Sequence, residues 1–365
     1  MAIPPYKRIS ALDSLRGVAA LVVLSQHLIL IFDIPKGSLA SLILHYSPFK
    51  LLIIGRSAVL VFFVLSGFAL TALLHTRMTY PQYVVRRLCR IVLPLVAATF
   101  LSVALYCVIR PHPIPGANDW INDTIWTTPP TLSMILNGLC LTGRIKDAII
   151  GPVTWTLVHE LRISLIFPFL YWICGRYPHR AAIAAVVLFF LSQWIMTRTH
   201  ISVFGSVGQL ENCVVSLYYI PFFVMGYYLC EHYEHLKKLV QLLKPWHQVV
   251  LAVAIFLSLV DAHDLLRGLG AAALVVASTG RGLWSRILLS RPCVFLGQSS
   301  YSLYLLHIVV MAAVFQLFSD VASPVILTGL TALTSVALAA AFHRVFESPS
   351  IRLGRVLAGA LKPLR

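Results

Sequence analysis

Leu51-Leu52-Ile53-Ile54-Gly55-Arg56-Ser57-Ala58-Val59-Leu60-Val61-Phe62-Phe63-Val64-Leu65-Ser66-Gly67-Phe68-Ala69-Leu70-Thr71-Ala72-Leu73-Leu74-His75 is the stretch on which the reading of this chain turns. Among its Lys, Arg, Asp and Glu positions only Arg56 is filled. A helix crossing a bilayer needs roughly 20 predominantly apolar residues, so the segment is expected to span a membrane. Ser66 and Gly67 suit a close approach by a second helix, and packing is their simplest explanation.

Comparable runs lie to either side, at 15–34, 91–110, 153–174, 181–198, 214–231, 247–262, 264–281, 299–319 and 323–346. The expected fold is all-α, a polytopic membrane helix bundle with about ten transmembrane helices. Composition agrees: of 365 residues, 59% are hydrophobic and 12% charged, where soluble proteins carry roughly a quarter charged. The seventh and eighth helices, joined by Asp261-Ala262-His263-Asp264, are expected to form a tight hairpin. The segment 111–152, with Pro111, Pro113, Pro115, Asp119, Trp120, Trp126, Pro129 and Pro130, is expected outside the lipid, since irregular backbone there would be unsatisfied. Its apolar part, 131–143, is too short to span and reads as re-entrant or interfacial. No internal repeat and no attached soluble domain is visible, so 1–365 is read as one membrane domain.

The net charge is +16, from 29 Lys and Arg against 13 Asp and Glu. These cations sit in short clusters between apolar runs, which points to topology or an anionic ligand and away from nucleic acid. Twenty of the 29 fall on one side if both termini are cytoplasmic, against seven on the other. That bias follows the positive-inside rule. Lys7 and Arg8 precede a polar stretch with no cleavage signature, so the first run is expected to be a retained helix. Cys89, Cys107, Cys140, Cys174, Cys213, Cys230 and Cys293 are scattered, with no Cys-x-x-Cys pair, and read as small hydrophobes without disulfide or metal.

Ionisable residues at the centre of a membrane helix cost roughly 2.5–3.5 kcal/mol on insertion scales, so each is a functional candidate. Arg16 and His27 are eleven residues apart, about 16 Å along a helix and within about 20° of one face. They could be an anion grip with a proton acceptor deeper in the groove, or an anchor with an interhelical contact. On the fourth helix stand Trp155, His159, Glu160 and Arg162. Glu160, about 10 Å deep, is expected near the depth of His27, where a carboxylate would raise imidazole basicity. The alternative is an ion pair of Glu160 with Arg56 or Arg162, although Arg162 points about 200° away. Arg86, Arg87 and Arg90 suit a phosphate-bearing ligand or a simple anchor. Ser300, Tyr304 and His307 share a stripe of the ninth helix, where holding helices together is the favoured reading.

Six signatures in order resemble the acyltransferase-3 family of integral-membrane acyltransferases. They are Leu12-Asp13-Ser14-Leu15-Arg16-Gly17 with His27; Gly55-Arg56-Ser57-Ala58-Val59 through Phe68; and Arg86-Arg87-Leu88-Cys89-Arg90 through Pro94. They continue with Trp155-Thr156-Leu157-Val158-His159-Glu160 and Phe167-Pro168; Ser299-Ser300-Tyr301-Ser302-Leu303-Tyr304-Leu305-Leu306-His307; and Glu347-Ser348-Pro349. The resemblance implies transfer of an acetyl group from cytoplasmic acetyl-CoA to a glycan or lipid-linked glycan hydroxyl, in a bacterial inner membrane. It implies His27 as catalytic base or proton relay, with Glu160 assisting it or binding the acceptor. It assigns the coenzyme A phosphates to Arg16, Arg86, Arg87 and Arg90. Leu161-Arg162-Ile163-Ser164 departs from the aromatic residues that many members carry after the glutamate, which makes Arg162 a candidate on the acceptor side. Trp155, His159, Ser66, Tyr304 and His307 stand as substrate-facing or structural candidates. A secondary transporter would be expected to show repeats or paired broken helices. A glycan flippase or polymerase-type assembly protein would need no grouped arginines.

Overall fold

The computed structural model describes residues 9–114, 118–143, 151–204, 208–280 and 283–361. Lys7, Arg8 and Pro115 lie outside the described residues. The described residues are helical, without strands. In order they form α1 (Ser10–Ile29), α2 (Leu39–Tyr46), a 3-10 turn (Pro48–Ile53), α3 (Gly55–Leu74), α4 (Tyr80–Ile109), α5 (Asp119–Thr124) and α6 (Leu132–Leu139). Then come α7 (Thr154–Arg176), α8 (Pro178–Thr199), α9 (Gln209–Glu231), α10 (Tyr233–Leu242), α11 (Pro245–Val260) and α12 (Asp264–Ser278). The chain closes with α13 (Leu283–Leu288), α14 (Arg291–Gln298), α15 (Ser300–Phe318), α16 (Pro324–Phe342), a π turn (His343–Glu347) and α17 (Ser348–Ala360).

Among the described residues, eight helices are long and apolar enough to cross a membrane, the last running from Pro324 to Ala360 through the π turn. The expected seventh and eighth spans are 16 and 15 residues long, short for a full crossing, and pack together as a hairpin. Two boundaries move in an instructive way. α1 starts at Ser10 rather than 15, because Ala11, Leu12 and Leu15 are buried and draw the preceding turn into the helix. α4 starts at Tyr80 rather than 91, closed by a reciprocal Thr79–Gln82 cap with Pro81 in its first turn. The three arginines therefore lie inside α4 and not before it. The stretch 131–143 holds the short α6, capped by the Thr131 hydroxyl, which accepts from the Met134 amide.

α3 sits at the centre, buried along most of its length, with α15 and α9 next in burial. A helix apolar on all sides belongs in the interior of a bundle. α3 and α9 touch backbone to backbone: a Cβ on Gly67 would stand 2.7 Å from the Phe223 carbonyl carbon, and one on Gly226 would stand 2.6 Å from the Phe68 nitrogen. α1 and α14 cross in the same manner, where a Cβ on Gly17 would meet Leu296 backbone at 2.5 Å and one on Gly297 would meet Asp13 backbone at 2.6 Å. Small residues at a crossing are how membrane helices gain dispersion contact. α1 runs antiparallel to α3, since the Gly55 amide donates to the Gln26 side chain at one end and Arg16 reaches Leu65 at the other. The near side below is the side from which α1 starts.

Candidate active site

Buried polar groups must find partners or carry a heavy desolvation cost, and here they collect in two layers. In the near layer, Arg16 donates from Nη2 to the Leu65 carbonyl at 3.0 Å. The next residue, Ser66, donates its hydroxyl to Glu160 Oε1 at 3.4 Å. Arg87 donates to the same oxygen at 3.3 Å. Arg87 is buried, whereas the Glu160 side chain keeps 23% exposure. Arg86 faces differently: its backbone lies against α17 at Gly354, and its Nε is buried without a hydrogen-bond partner among the described residues. Arg90, Arg87, Glu160 and Glu347 all lie within electrostatic reach of Tyr301, whose hydroxyl donates to the Ile91 carbonyl at 2.8 Å.

In the far layer, His27 Nδ1 and His307 Nε2 are 3.0 Å apart. Trp120 of α5 stacks on His27 with ring centroids 5.6 Å apart and planes 17° apart. His307 is buried, and its Nδ1 lies 3.1 Å from the Leu303 carbonyl one turn back. From Arg16 to His27 the axis of α1 rises about 16 Å. Glu160 is therefore not at the depth of His27. Its partners, Ser66 and Arg87, place it level with Arg16, and neither Arg56 nor Arg162 is its ion partner. Between the layers the Tyr304 hydroxyl meets the Thr156 hydroxyl at 2.7 Å. Thr156 stands one turn before Glu160 and Tyr304 one turn before His307, so polar groups continue from layer to layer.

The remaining candidates lie outside this axis. His159 turns toward α9, where its Nδ1 is 2.9 Å from the Ser216 hydroxyl and its Nε2 is buried without a partner among the described residues. Trp155 joins it in an aromatic group with Phe204 and Tyr219. Arg162 donates to the Thr142 carbonyl at 3.2 Å and to the Gln209 side chain at 2.9 Å, tying α7 to the end of the long connecting segment.

Two arrangements escaped the sequence. Arg56 forms a two-point ion pair with Asp264, which also accepts from Tyr218 and Arg267, each at 2.8 Å. Asp264 had read as a loop residue; its place at the first turn of α12 is also where a carboxylate meets a helix dipole favourably. Glu347, buried in the π turn, accepts from the Ser302 hydroxyl at 2.5 Å and lies 3.0 Å from His343 Nδ1. A π turn inside a long helix often marks a functional position.

Long apolar helices enclosing two stacked polar layers define a multi-pass membrane protein. The family model described as an acyltransferase domain matches residues 9–344. The chain belongs to the acyltransferase-3 family and is a membrane acyltransferase, working between an acyl donor and an acceptor. No curated protein and no solved structure matches it significantly.

Proposed function

We propose that the protein moves an acetyl group from cytoplasmic acetyl-CoA to a hydroxyl of an envelope or exported glycan, free or lipid-linked. The near side is then cytoplasmic, and the membrane is the bacterial inner membrane. The observation that carries this reading is the stacking of an arginine layer and a histidine layer on one axis, about 16 Å apart. Coenzyme A has the matching form, with phosphates at one end and the thioester at the end of a long flexible arm. Arg16, Arg87 and Arg90 supply planar cationic donors of the kind that hold phosphate, with Arg86 on the α17 side of α4 adding to the positive field. Glu160 is the counter-charge that keeps Arg87 in place until phosphate arrives, in place of the assistance to His27 expected from the sequence.

His27 takes the proton of the acceptor hydroxyl as its oxygen attacks the thioester carbonyl. The tetrahedral intermediate collapses, the C–S bond breaks, and the coenzyme A thiolate receives the proton. A positioned base is worth 10²–10⁴-fold, typically. Trp120 covers the imidazole, which limits competing hydrolysis.

The test is deletion of the gene in its host, complementation with wild type or His27→Ala at matched membrane levels, and proton NMR of purified surface glycans. Restored acetyl signals with wild type alone support the reading. Restoration by both proteins removes His27 as base. Acetylation unchanged by the deletion removes the glycan as acceptor.

A further inference from the structure

We propose that His307 is a positioning residue that sets the tautomer of His27, so that Nδ1 of His27 carries the proton and Nε2 offers the lone pair. This rests on the reading of His27 as base. A carbonyl can only accept a hydrogen bond. His307 Nδ1 lies 3.1 Å from the Leu303 carbonyl, so that nitrogen holds a proton. A neutral imidazole holds one proton, which leaves His307 Nε2 as an acceptor. That acceptor faces His27 Nδ1 at 3.0 Å, so His27 Nδ1 is the donor. The order is fixed from one end to the other: Leu303 carbonyl, His307, His27, then Nε2 of His27, which has no hydrogen bond among the described residues.

The alternatives leave a group unsatisfied. Reversing the His27 tautomer would set two lone pairs against each other at 3.0 Å. A cationic His307 would bury a charge with no carboxylate hydrogen-bonded to it among the described residues. The arrangement has the logic of a catalytic triad, in which the third member orients the base without itself taking a proton. Here a neutral ring takes that part, and it owes its own tautomer to α15. A stripe that reads as structural glue thus becomes the support of the base.

The test uses the full chain in lipid nanodiscs, labelled with ¹⁵N-histidine, with His27→Ala to assign the His27 signals. Wild type is expected to show His27 protonated at Nδ1 and bare at Nε2. His307→Phe keeps a flat ring but no acceptor, and is expected to mix the two tautomers. His307→Gln offers an amide oxygen to His27 and an amide N–H to Leu303, and is expected to restore the pattern. In the complemented strain the initial rate of glycan acetylation is expected to fall on the order of 10²-fold with His307→Phe. It should recover at least about tenfold with His307→Gln, while acetyl-CoA affinity stays level. Wild-type His27 protonated at Nε2, or an unaltered rate and tautomer in His307→Phe, overturns the assignment. If His307→Phe does not accumulate, the wild-type spectrum and His307→Gln decide. Full acetylation by His27→Ala would sink the base reading alone, since the wild-type spectrum still reports on His307.

Discussion

Near the start of α1, Arg87 and Glu160 meet at 3.3 Å with Arg16 and Ser66 alongside. Some 16 Å farther along the helix, His27 and His307 meet at 3.0 Å with no carboxylate hydrogen-bonded to either among the described residues. One layer is organised by formal charge and keeps a partly exposed carboxylate. The other, on the tautomers proposed above, is organised by the direction of hydrogen bonds between neutral rings under an aromatic cover. The contrast follows what the proposed function asks of each layer. A layer that exchanges a multiply charged ligand needs charges that can swap partners. A layer that must present a lone pair needs a fixed proton and little water.

Separating the layers by mutation tests that contrast. The largest expected effect is from His27→Ala, with acetyl transfer lowered 10²–10⁴-fold and acetyl-CoA affinity in equilibrium dialysis changed less than about twofold. A parallel loss of donor binding would merge the two layers into one. Next comes Asp264→Asn, which strips Arg56 and Arg267 of their shared counter-charge. It is expected to lower stability by about 3 kcal/mol, read as earlier thermal unfolding in detergent, with donor affinity untouched. A normal melting profile would mean that this cluster is not structural. Arg87→Ala is expected to weaken acetyl-CoA binding by about 2 kcal/mol, while transfer at saturating donor stays within several-fold of wild type. A collapse of the saturated rate would move Arg87 into the chemical step. The smallest effect is from Glu160→Gln. With the competing carboxylate gone, donor affinity should rise by about 1 kcal/mol or less, and weaker binding would show that Glu160 orients Arg87 more than it competes for it.

The helices were legible because apolar length is a property of each segment alone. The family, too, was carried by short signatures that survive without any knowledge of neighbours. Partner choice was not legible. Glu160 had two arginines in view, Arg56 and Arg162, and only tertiary packing brings Arg87 of α4 beside it instead. Depth was misjudged for a related reason. Placing α1 five residues late put His27 near the middle of the expected span 15–34, whereas it stands in the last turn of α1. The signal existed in Ala11-Leu12 and Leu15, which carry the helical spacing of a buried face. The start of α4 was also written in the chain, as Thr79-Tyr80-Pro81-Gln82, but three arginines masked a helix that hydropathy alone breaks.

Gly17 follows Arg16 directly, and its missing side chain is what lets α14 lie against α1. In a genetic screen, replacements at Gly17 would score as loss of enzyme although the residue touches no reactant. A map of essential positions built from phenotype alone would then list Arg16 and Gly17 as equals. Only a second-site suppressor could tell them apart: a Gly17 defect can be relieved by making room elsewhere along the α1–α14 seam, and an Arg16 defect cannot.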